Sequence, residues 1–155
     1  MVPVSRVSRK TLERIQAVAE AIPFFRWMGI RITELRRGQC QVELDVRPEM
    51  LQIAGSVHGG ILASLIDVAS AIAVMAAIGR PADIRTLELK VNYLRPVRSG
   101  TICAFSQVIH LGSRTAVTTC HVRMRTPESP EPGKLCAYGV ATFMRIESER
   151  SQPVQ

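Results

Sequence analysis

The sequence predicts an α+β domain in which an antiparallel sheet wraps one long apolar helix. The prediction rests on a run at 61–79 that is apolar on every side, an alternating stretch before it, and further alternating stretches after it. With 155 residues, 46% of them hydrophobic and 21% charged, the chain can bury about 70% of its unfolded surface around one core. That composition is too apolar for disorder, and 10 Gly with 9 Pro exclude a collagen-like or low-complexity chain.

Taken in order, residues 1–10 read as a loose tail, 11–148 as the folded domain and 149–155 as a second tail. Leu12, Ile15, Ala19 and Ile22 recur at spacings of three and four, which predicts a short helix with Thr11 as candidate cap and Pro23 closing the pattern. Phe24, Phe25, Trp27 and Met28 follow as a dense apolar patch, read as core in preference to pocket lining. Between 38 and 47, Cys40, Val42, Leu44 and Val46 alternate with Gln41, Glu43, Asp45 and Arg47, the pattern of a half-buried strand with the second set toward solvent. A loop around Gly55 leads to His58-Gly59-Gly60, where the long helix starts; Gly79 and Pro81 end it. Strands are predicted at 86–94, 101–111, 114–126 and 134–146, joined by antiparallel hairpins or short turns.

The net charge of +7 comes from 17 Arg and 3 Lys against 13 acidic residues. Guanidinium grips phosphate oxygens in a fork, so an anionic partner is expected beside the plainer alternative of solvated surface charge. Nucleic acid is not expected, because only 5% of residues are aromatic and no helix-turn-helix, zinc-finger or RNP-like signature occurs. The run at 61–79 has the length of a membrane span but carries Asp67 near its middle, so a helix buried in protein is expected and no membrane partner. No apolar stretch follows the basic N-terminus, and the four cysteines form no C-x-x-C, which together point to a reducing cytoplasm. His110 and His121 have no acidic or cysteine neighbour at ligand spacing, so no metal is assigned.

No G-x-S-x-G, H-E-x-x-H, Walker loop or G-x-G-x-x-G occurs. What carries chemistry is His58-Gly59-Gly60 together with Asp67. A carboxylate in an Ala/Ile/Leu helix is costly to bury unless it meets an arginine, a polar subunit contact or a wet cleft. Two glycines where loop becomes helix leave backbone N–H groups bare at the positive end of the helix dipole, a place suited to an oxyanion. Nine positions at about 100° each put His58 and Asp67 on nearly opposite sides of the helix. If both serve one substrate, two copies of the helix must run antiparallel, as a two-fold dimer places them.

The segment at 56–67, SVHGGILASLID, resembles the H-G-G-x-x-x-x-x-x-D stretch of hotdog-fold acyl-CoA thioesterases, in the branch of the phenylacetic-acid-degradation and Arthrobacter-type 4-hydroxybenzoyl-CoA thioesterases. Residues 86–96 (TLELKVNYLRP), 112–114 (GSR) and 136–143 (CAYGVATF) resemble the same family, so the likeness covers roughly residues 22–147. The resemblance implies a hotdog fold and hydrolysis of an acyl- or aryl-CoA to free acid and CoA, with CoA as part of the substrate and no cofactor. It implies a homodimer at the site and a homotetramer overall. Asp67 would be the general base or the nucleophile, Gly59 N–H would polarise the thioester carbonyl, His58 would orient the loop, and Gln52 would touch the thioester or the water. Thr86 would hold water, the more so because Ala71 lacks the hydroxyl some relatives have there. Gly60, Arg95, Arg98 and Arg114 would bind substrate, the arginines at the nucleotide end of CoA. Rival readings are a noncatalytic acyl-CoA-binding module, suggested by Gln52 where many relatives have Asn, and a hotdog hydratase, whose acid precedes its histidine.

Overall fold

The computed structural model describes residues 7–129 and 133–146. The expected C-terminal tail, most of the N-terminal one and part of the predicted turn at 127–133 lie outside them. Helix α1 (Arg9–Glu20) starts earlier than Thr11, because Ser8 is the cap: its side chain accepts from the Thr11 N–H, which makes Thr11 the third helical residue. Ile15 and Ala19 form the buried stripe of α1. Pro23 does end α1, but it also opens helix α2 (Pro23–Met28), where a missing N–H costs nothing; Gly29 closes α2 at φ 76°. Helical spacing divides the aromatic patch. Phe25 and Met28 are buried, while Phe24 is 44% and Trp27 70% exposed, so the patch is only half core.

Six strands form one antiparallel sheet: β1 (Arg31–Arg36), β2 (Gln39–Asp45), β3 (Asp83–Tyr93), β4 (Thr101–Leu111), β5 (Thr115–Arg125) and β6 (Leu135–Ile146), in the spatial order β1-β2-β4-β5-β6-β3. Strand β1 was not predicted. It is an edge strand with no fully buried residue and a register shift between Ile32 and Glu34, so its sequence lacks a clean apolar alternation. The chain from β3 to β4 is also not a hairpin. Strand β3 pairs with β6 alone, at the far edge, and the chain returns past β6 and β5 to reach β4. Three inter-strand gaps amount to about 14 Å, which the segment 94–100 spans easily when extended. On the way, Val97 is buried and its carbonyl accepts from the Val57 N–H at 2.7 Å, tying the crossing to the entry of the long helix.

Helix α3 (Gly59–Ile78) lies across the concave face of the sheet. Leu65, Ile66, Ala69, Ala73 and Val74 are fully buried there against the inward sets of the strands, including Cys40, Val42 and Leu44 of β2. The helix is long and apolar enough to cross a membrane by composition, but it is the core element of this fold. Glu43 sits on the predicted polar face of β2 yet is only 3% exposed. Arg125 (2.5 Å), Arg31 (4.0 Å) and the Cys103 thiol (3.8 Å) close over its carboxylate on the outer side of the sheet.

Candidate active site

The turn into α3 is shaped by its own histidine. His58 is the N-cap, and its Nδ1 accepts the Gly60 N–H at 3.0 Å, so the ring proton of the neutral imidazole sits on Nε2. The Ile61 N–H is taken by the His58 carbonyl at 2.9 Å. Of the three amides at this terminus, only that of Gly59 has no acceptor among the described residues. The expectation of two bare amides thus narrows to one, with Gly60 committed to the cap.

Tyr93, at the end of β3, is the residue sequence reasoning missed. Its hydroxyl donates to the Gly59 carbonyl at 3.0 Å, and a Cβ at position 59 would lie 3.1 Å from its ring. Position 59 is therefore glycine because the tyrosine ring occupies the space of a side chain. The sequence signal was its place inside the 86–96 segment that resembles the family; nothing in the spacing shows that Tyr93 reaches across to α3.

Asp67 is half-buried, two turns along the helix. Its Oδ1 accepts the Thr86 hydroxyl at 2.8 Å, and no ion pair to it occurs among the described residues. A bulge in β3 makes that bond possible. Thr86 pairs with Phe143 and Glu88 with Thr142, leaving Leu87 as the extra residue. Paired residues share a face, so Thr86, Leu89, Val91 and Tyr93 all point to α3, although Thr86 and Leu89 are three apart. Without the bulge Leu87 would face the helix and Thr86 would not; with it, Leu87 is 53% exposed. One strand thus braces both chemical groups of the helix, Tyr93 at Gly59 and Thr86 at Asp67.

Gln52 stands in the loop before α3, where its N–H donates to the Ser56 carbonyl at 2.8 Å and its side-chain amide to the Ser56 hydroxyl at 2.8 Å. One amide hydrogen and the side-chain carbonyl remain for a ligand. Gln52, Ser56, Gly59, Tyr93 and Arg95 line a cleft of about 380 Å³. Arg95 and Pro96 also line a second cleft of about 290 Å³ that contains Arg125 and Lys134, so the two adjoin. Arg95 donates to the Leu135 carbonyl at 2.7 Å, which holds it along this path. Arg98 is exposed on the same connection. Arg114 is not near them: it lies in the turn at the other end of β4, roughly 30 Å away along an 11-residue strand.

Within one chain the groups do not converge. Eight residues of helix separate Gly59 from Asp67 by about 12 Å, and each has its own β3 partner. No group of three or more His, Cys, Asp or Glu that could hold a metal occurs among the described residues.

Known proteins resemble this chain in sequence and in fold. The Thioesterase superfamily model matches residues 54–131, which include His58, Gly59, Asp67, Thr86 and Tyr93. A 1,4-dihydroxy-2-naphthoyl-CoA hydrolase of Listeria monocytogenes is 30% identical over 90 residues, 58% of this chain and 73% of that protein. The PaaI protein of the Escherichia coli phenylacetic acid degradation operon superposes with a TM-score of 0.79 at 27% identity, covering 91% of this chain and 96% of that one. A thioesterase of Haemophilus influenzae gives 0.73 at 25% identity, over 94% and 95%. A single helix cradled by an antiparallel sheet, with the glycine turn and the carboxylate both inside the matched segment, makes this chain a hotdog-fold member of the thioesterase superfamily.

Proposed function

We propose that the protein is an acyl-CoA thioesterase that hydrolyses its substrate at a site shared by two copies of the chain, with Gly59 from one and Asp67 from the other. The observation that carries the reading is that, among the described residues, one helix-terminal amide has no acceptor and one helix-borne carboxylate meets a hydroxyl and no cation. Attack on a thioester builds negative charge on the carbonyl oxygen, and a fixed amide there is worth roughly 2.7–4 kcal/mol of transition-state stabilisation. Gly59 N–H supplies that donor, with the dipole of α3 behind it. Asp67 takes a proton from water through the oxygen that Thr86 leaves open. The Thr86 hydroxyl donates to Asp67, so its lone pairs accept from the same water. Water oxygen bonds to the acyl carbon, the carbon–sulfur bond breaks, and the thiolate receives the proton.

The polyanionic arm of CoA fits the adjoining clefts that run from Gly59 past Arg95 to Arg125 and Lys134. Arg98 lies on the same connection, whereas Arg114 belongs to the Asp67 end and can act only from the second copy. Hydrolysis is tested by thiol release from a panel of acyl- and aryl-CoAs. Asp67→Asn should lower kcat about 10²–10⁴-fold with the fold unchanged by circular dichroism; a variant as active as the parent would remove Asp67 from the mechanism. Single-turnover hydrolysis in ¹⁸O water should place the label in the product acid. Unlabelled acid from the first turnover would instead show that Asp67 attacks carbon.

A further inference from the structure

The His58–Gly60 turn has a second concave side. A pocket of about 320 Å³ opens between α2 and the first turns of α3, bounded by Phe24, Trp27, Met28, Met50, Leu51 and Ile61 and reaching His58 and Gly60. Its volume is at the small end of ligand sites. Phe24 and Trp27 lie 6.0 Å apart at 34° on its rim, both substantially exposed, an arrangement that leaves apolar surface in water unless something covers it. The wall is held in place: Arg47 donates to the Met28 carbonyl at 2.8 Å and to that of Trp27 at 3.3 Å, closing the C-terminal end of α2. Glu49 is the only formally charged residue on the lining, and it takes no ion-pair partner among the described residues.

A thioester whose carbonyl rests on Gly59 has two arms, and the turn has two sides. The side holding Gln52 and Tyr93 leads to the cations, so the polar arm goes there and the acyl arm goes to the other. We infer that the pocket rimmed by Phe24 and Trp27 is the acyl-group site, that it takes uncharged apolar acyl groups, and that Glu49 turns away acyl groups ending in a carboxylate. The assignment rests on the thioesterase reading above. Methionine thioethers at Met28 and Met50 adapt to ring or chain, while a second carboxylate near Glu49, which is exposed at the mouth of the pocket, would meet a like charge.

Trp27 is the one tryptophan of the chain, so its fluorescence reports this pocket without any turnover. The probes are CoA, its S-hexyl thioether and an S-(3-carboxypropyl) thioether, each also measured by calorimetry. S-hexyl-CoA should shift the emission where CoA binds without shifting it. The carboxylate-ended thioether should bind at least about tenfold more weakly than S-hexyl-CoA, and Glu49→Gln should narrow that gap. Trp27→Leu, at an exposed position, should raise KM for hexanoyl-CoA about tenfold with kcat little changed. Calorimetric binding of S-hexyl-CoA with no Trp27 response, an equal response to CoA, or a gap that Glu49→Gln leaves intact would overturn the pocket assignment alone. Absence of binding by every CoA probe would overturn the thioesterase reading together with it.

Discussion

Gly59 carries two demands at once: its amide must stay free, and its Cα must accept an aromatic ring at van der Waals distance. Gly59→Ala keeps the N–H but drives a Cβ to 3.1 Å from Tyr93, so either the ring or the turn must move. The expected loss in kcat is about 10²-fold, the scale of one misplaced oxyanion donor. Adding Tyr93→Ala should return part of that loss, since the clash disappears; a double variant no better than Gly59→Ala would show that the ring is not what the methyl group meets. Sequence reasoning identified Asp67 and His58-Gly59-Gly60 because an acid in an apolar helix and paired glycines at its start are conspicuous in one dimension. Tyr93 was silent for the opposite reason. An aromatic residue at a strand end is ordinary, and its meaning comes from a contact 34 positions away. Glu43 was misread in the same manner: alternation assigned its face correctly, but only the arginines of other strands reveal that the face is covered there.

Strands and helices were legible where one face is apolar and the other polar. Strand β4 begins and ends where expected, and β2, β5 and β6 within two residues, because their inward sets alternate cleanly. The edges were harder. Strand β1 buries little, and β3 changes parity at Leu87, so the period-two signal that defines a strand is weak in one and broken in the other. That break exchanges Leu87 for Thr86 on the helix side. Deleting Leu87, the unpaired residue, should restore regular pairing with Thr86 still opposite Phe143 and its hydroxyl still on Asp67. The expected result is a folded protein that keeps most of its kcat, whereas Thr86→Val, which removes the hydroxyl, lowers it. A deletion variant whose kcat falls as far as that of Thr86→Val would mean that Thr86 reaches Asp67 only from the bulged backbone.

Over the whole molecule, one property follows from how little of the core meets water and another from where the groups of the site fall along α3. Burial pushes the thiol of Cys120 up to about 12 and that of Cys103 to about 11, the latter also through Glu43; Cys40 is raised further. These groups keep their protons in the fold at pH values where an unfolded cysteine, near 8.5, has lost them. Their contribution to stability is therefore complete below about pH 8 and is lost as pH rises toward the folded values. The melting temperature should fall between about pH 9 and 11, and Cys120→Ala should flatten the slope. An unchanged slope would assign the alkaline limb to other groups. The second property concerns assembly. The groups that would act together lie about 12 Å apart along one helix, so the site is complete only if a second chain turns its own Asp67 toward Gly59. Asp67→Asn and Gly59→Ala chains are each expected to be nearly inactive alone. Unfolded together and refolded as an equal mixture, half the dimers should be mixed, and each mixed dimer has one intact site, with Gly59 from the first chain and Asp67 from the second. Activity should return to about a quarter of the parent value for two sites per dimer. The same two proteins mixed without unfolding should regain it only as fast as subunits exchange. If refolded mixtures that demonstrably contain both chains in one assembly stay inactive, the two groups do not serve a common substrate across the interface.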